Sequence, residues 1–91
     1  LNDASLEIAN FGEGEYILFL ETTSFDQPLR VTIHNILGQK MLENQVETNG
    51  RGYRFEFNMS YAANGVYLLR IGTREVGRVK RFMVNNGVPK M

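Results

Sequence analysis

The residues able to do chemistry in this sequence are few, and none of them forms a catalytic set. The single histidine, His34, lies in the alternating run 29–35 on the side of Arg30 and Thr32, so the pleat places it toward solvent. A Ser/His/Asp arrangement or a histidine-rich zinc site cannot be assembled around it. The chain has no cysteine, which removes disulfides and thiolate metal ligands. The close carboxylate pairs are Glu13 with Glu15, in a turn, and Glu43 with Glu47; neither has the apolar setting that raises one pKa for acid catalysis. Gly12-Glu13-Gly14 is a glycine pair whose acidic neighbours repel phosphate, so it reads as a turn and not as a dinucleotide loop. Asn58-Met59-Ser60 fits the N-glycosylation sequon, a pattern short enough to arise by chance, and no function is attached to it. The sequence predicts a non-enzyme, with no catalytic residue, no cofactor and no metal site.

Composition narrows the class further. Ninety-one residues make one small domain, which hides about 60–65% of the surface of its unfolded chain, enough for one core and no deep cleft. The balance of 43% hydrophobic and 22% charged residues is that of a folded globular chain. No apolar run reaches the roughly 20 residues of a membrane-spanning helix, and no basic flank precedes an apolar block at the N-terminus. Neither membrane insertion nor a signal peptide is expected, and a chain that starts at Leu1 is expected to be part of a longer one. The net charge of zero hides an asymmetry. Residues 1–29 hold six acidic and no basic residues, whereas residues 70–91 hold six basic residues against Glu75 alone. Nucleic acid is a poor partner for a neutral chain whose aromatics alternate as core residues do.

The elements that must position these groups are strands. Residues 29–35 alternate, with Leu29, Val31 and Ile33 inward. Residues 53–59 alternate likewise, with Tyr53, Phe55, Phe57 and Met59 forming an aromatic core face. In residues 15–22 both faces are apolar at the centre, which leaves Ile17 and Phe19 to be covered by a loop or a neighbouring domain. Residues 40–48 carry one helical spacing, Leu42 and Val46, but nine residues are marginal for a helix and the flanking turns favour a strand. Asn49-Gly50 predicts a tight hairpin turn. The last long hairpin spans residues 65–84, with an apolar strand bracketed by Gly65 and Gly72, then a strand on which Arg78, Lys80 and Arg81 are expected to make one basic outer face; Gly72 and Gly77 are expected to let its ends turn. About seven short strands separated by glycine-containing turns predict an all-β antiparallel sandwich.

Three segments together resemble the C-terminal sorting domain of the type IX (Por) secretion system: VTIHNILGQKML at residues 31–42, NGVYLLRIG at 64–72 and VKRFMV at 79–84. Their order matches the family pattern of a strand ending in an aromatic, Asn or Asp, an apolar residue and Gly, then a Gly-Val-Tyr strand, then a closing strand with Lys or Arg before aliphatics. His34 stands where the family more often has Tyr or Phe. The resemblance covers roughly residues 6–85 and leaves 86–91 as a tail, all in one domain spanning 1–91. It implies an immunoglobulin-like sandwich that carries an N-terminal cargo domain of the same parent chain through the periplasm and across the bacterial outer membrane to the cell surface. The partners implied are the outer-membrane translocation machinery and a sortase-like peptidase that removes the domain. The expected recognition motif is Gly38, Gly65, Val66, Tyr67, Arg78, Lys80 and Arg81. The alternative is an accessory sandwich that binds carbohydrate or protein, for which Tyr61 and Tyr67 are the candidate contact residues.

Overall fold

The computed structural model describes residues 5–22 and 26–86. It is built from seven strands: β1 (Ser5–Gly12), β2 (Glu15–Glu21), β3 (Leu29–Asn35), β4 (Lys40–Val46), β5 (Gly52–Asn58), β6 (Gly65–Gly72) and β7 (Gly77–Val84). They form two antiparallel sheets, ordered β1-β2-β5 and β4-β3-β6-β7. This is an immunoglobulin-like sandwich, in which the chain leaves a sheet after β2, β4 and β5 and turns back within one after β1, β3 and β6.

Alternation decides which side chains meet between the sheets. Leu18 and Leu20 from β2, Leu29, Val31 and Ile33 from β3, and Leu69 and Ile71 from β6 are fully buried. Residues 40–46 are a strand, and Val46 is their buried residue. An aromatic cluster closes one side of the core, with Phe82 of β7 edge-on to Tyr16 at 5.6 Å and to Phe57 at 5.8 Å between ring centroids. Phe55, expected in the core, is half-buried and packs against it, stacked on Phe57 at 5.7 Å. Ile17, on the far face of β2, is buried, while its neighbour Phe19 stays exposed. The Tyr53 hydroxyl donates to the Gln27 carbonyl, and burial pushes its pKa above the usual phenol value.

Two turn expectations are corrected. Asn49-Gly50 is a tight turn, but it connects β4 to β5 in the opposite sheet, and beyond it only the Thr48–Tyr53 bridge pairs the two sides. The mirror-image hairpin turn needs positive φ at both central residues. Only Gly50 has it, at 96°, and no non-glycine residue among those described does. The second correction concerns Gly72 and Gly77, expected to bend the ends of the last hairpin. They face each other across it with no positive φ, and they are small because space is short. A Cβ on Gly72 would lie 2.2 Å from the Val76 carbonyl oxygen.

Candidate functional site

The closing hairpin divides its residues between two faces. Tyr67, Leu69 and Ile71 of β6 point into the core, opposite Phe82, Lys80 and Arg78 of β7; Val66, Leu68 and Arg70 point outward, opposite Met83, Arg81 and Val79. Arg78, Lys80 and Arg81 therefore do not make one basic outer face. The period of two puts Arg78 and Lys80 on the core side, at the rim beyond Phe82, and Arg81 alone on the outside. Lys80 and Arg81 are exposed and Arg78 is half-buried. The outer side of β7 is mainly apolar, with Val79 60% and Met83 63% exposed on either side of Arg81. β7 is also the edge of its sheet, so among the described residues one row of its backbone N–H and C=O groups has no ladder partner, and of that row the Met83 carbonyl accepts from the Tyr16 hydroxyl at 3.2 Å.

Gly65, Val66 and Tyr67 hold the entry to this hairpin. Tyr67 is buried, and its hydroxyl donates to the Ala63 carbonyl four residues upstream at 2.7 Å. This is the tyrosine corner of immunoglobulin-like sandwiches, which locks the connection into β6. Its place in the core removes Tyr67 as a contact residue and leaves Tyr61, exposed, with its hydroxyl donating to the Met41 carbonyl. Gly65 has a φ of 150°, and Val66 is half-exposed on the outer side. Asn86, expected to begin a tail, is docked instead. Its side-chain amide donates to the Met59 and Ala62 carbonyls, and its backbone N–H to Asn64 Oδ1. The remaining tail residues 87–91 lie outside the described residues.

The seventh motif residue, Gly38, belongs to a feature that sequence reasoning missed. The β3–β4 turn is built around Asn35, whose Oδ1 accepts from the backbone N–H groups of Leu37 and Gln39, both at 2.9 Å. Its Nδ2 donates to Gln39 Oε1 at 2.7 Å, and the Gly38 N–H donates to the Asn35 carbonyl at 3.0 Å. Gly38 takes a φ of 86° to close the turn. The turn displays Ile36 at 74% and Leu37 at 81% exposure, the two most exposed large apolar side chains among the described residues. The signal was in the sequence: two large aliphatics between Asn and Gly in a turn, where burial is not available.

Electrostatics adds little that is reactive. On β4, Lys40 Nζ donates to Glu43 at 2.7 Å and Arg30 donates to its other oxygen. These bonds, Lys40 first, hold the Glu43 carboxyl below the usual range. His34 is half-buried on the outer face of β3, level with Leu68. Asn58 of the sequon is engaged in a local turn, with Oδ1 accepting from the Ser60 backbone and Nδ2 donating to Glu15. Among the described residues no three His, Asp or Glu side chains converge as metal ligands.

The model of one protein family, the secretion system C-terminal sorting domain, matches residues 15–85. The chain belongs to this family. The match takes in β2 to β7 complete, and with them the Asn35 turn, the tyrosine corner and the closing edge strand. It identifies the sandwich as a type IX sorting domain and the protein as secreted or on the cell surface, and it points away from catalysis by this domain. A search of curated proteins finds no match.

Proposed function

We propose that this sorting domain is the address that takes an attached cargo through the outer-membrane translocation machinery to the bacterial cell surface, where a sortase-like peptidase removes it. The machinery reads the address at two places. One is the edge and outer side of β7, where the edge-row backbone groups of Val79 and Arg81 suit strand addition, Val79 and Met83 offer apolar area, and Lys80 and Arg81 orient the encounter. The other is the Ile36-Leu37 tip. Tyr67, Gly65 and Gly38 serve as the frame that holds these surfaces, not as contacts. The observation that carries the reading is the exposed edge strand at the end of a domain whose family is defined by sorting.

The test is a periplasm-directed reporter fused to residues 1–91 in a bacterium that has the type IX machine. Deleting β7 would mix recognition with folding, because Phe82 and Val84 belong to the core. Lys80→Glu with Arg81→Glu separates the two, since exposed substitutions usually change stability by under about 0.5 kcal/mol. The parent fusion is expected outside the outer membrane, on the cell surface or in the medium, and the folded double variant in the periplasm. Equal export of both would remove the charges of β7 from the address, and retention of the parent would refute the sorting function for this chain.

A further inference from the structure

The outer face of the β4-β3-β6-β7 sheet carries a second feature, at the end away from the Ile36-Leu37 tip. A shallow concavity of about 550 Å³ opens there, lined by Arg30, Arg70 and Arg74 together with Gln45 and Thr73, and no acidic residue among those described lines it. Its volume lies within the roughly 300–1,000 Å³ of small-molecule sites. The three guanidinium groups come from β3, from β6 and from the β6–β7 turn, so they approach from separate elements.

Arg70 is the unusual member. It is half-buried, yet among the described residues it has no hydrogen-bonded or ion-paired partner. Its guanidinium lies over Gly77, where an added Cβ would fall 2.7 Å from Cζ and Nη2 and 3.0 Å from Nε. Gly77 is thus a seat for the Arg70 head, and the fold accepts a glycine within β7 to provide it. Seating one face of the guanidinium on backbone uses none of its N–H donors, which lie in the plane of the group. Arg30 is bonded to Glu43, which lies outside the lining, so one of the three charges is offset from the side. Two net positive charges and a set of in-plane donors remain, with a hydroxyl and an amide beside them. A phosphoryl group is the complement of that set, because it presents several oxygens to several donors and carries close to two negative charges.

We infer that this concavity is a phosphoryl-binding site, with Arg70 as its central ligand and Arg74 and Arg30 closing on the same group. The inference does not depend on the sorting reading, since the site and the β3–β4 tip lie at opposite ends of the sheet. Phosphoryl groups reach a secreted protein free or on a lipid headgroup, and the experiment separates these sources.

The domain is titrated with inorganic phosphate while the arginine Nε–Hε signals are followed by nuclear magnetic resonance. Saturable movement of the Arg70 and Arg74 signals, with Arg51 and Arg81 still, is expected. Arg70→Gln should weaken the affinity about tenfold and Arg74→Gln less, while Arg70→Lys, which keeps the charge but not the fork, should fall between the parent and Arg70→Gln. Arg74→Gln lies in an exposed turn and keeps the test valid if the Arg70 variants misfold. Response to phosphatidic acid vesicles as well as to phosphate would place the phosphoryl group on a lipid. The inference is overturned by no movement with either probe, by equal movement of every surface arginine, or by binding of a glutamate-rich peptide without any response to phosphate.

Discussion

The turns on either side of β4 are made with the same device and display different things. In the β3–β4 turn, Asn35 Oδ1 accepts from two backbone N–H groups and Gly38 takes positive φ; in the β4–β5 turn, Asn49 Oδ1 accepts from the N–H groups of Arg51 and Gly52, both at 3.0 Å, and Gly50 takes positive φ. Thr48 adds a further acceptor to the second turn, for the Gly50 N–H at 3.0 Å. Both turns are therefore closed by an Asn and a Gly. What they hold out differs: Asn49, Gly50 and Arg51 on one side, and the aliphatic pair Ile36 and Leu37 on the other. Since the polar turn forms without large aliphatics, the aliphatic pair is not needed to make a turn of this kind. Exposed apolar side chains held on a rigid frame lose little entropy on docking, which suits them to a partner's pocket.

The largest effects are expected at the device the two turns share. Gly38→Val and Gly50→Val put a β-branched residue at positive φ, and each should cost about 1–2 kcal/mol in urea unfolding. A large cost at one turn and none at the other would mean that the turns are not closed in the same way. Smaller effects are expected from the side chains that cage the backbone. Asn35→Ala and Asn49→Ala should each cost about 1 kcal/mol, because the released N–H groups are near water and recover part of their bonding there. The Asn49 variant should lose less if Thr48 takes over part of the load.

Local periodicity is written in the sequence, whereas long-range pairing is not. The alternation of residues 29–35 and 53–59 gave their inward faces correctly, because a two-residue period survives wherever one side meets a core. The three motif segments pointed to the sorting family that the family model matches. The basic outer face failed because the residues were grouped by charge, while the pleat sorts by parity and puts Arg78 and Lys80 with Phe82. Asn49-Gly50 located a turn but not the sheet that the next strand would join, since that depends on long-range pairing. Tyr67 was read as a recognition residue because Gly-Val-Tyr marks the family, but its hydroxyl bond to Ala63 depends on the path of the connection into β6. The Arg70 seat on Gly77 was invisible for a similar reason. Arg70 pairs with Val79, and only the structure brings its head back over the glycine two residues away.

Whether the address includes side chains that the frame displays and does not itself require is decided at the β3–β4 tip. Ile36→Ser with Leu37→Ser should change stability by under about 0.5 kcal/mol, and it is compared with Arg51→Ser in the polar turn, each in the reporter fusion of residues 1–91. Equal unfolding midpoints are expected for both, with export of the Arg51 variant at the parent level and retention of the Ile36/Leu37 variant in the periplasm. Parental export of a folded Ile36/Leu37 variant would contradict that expectation.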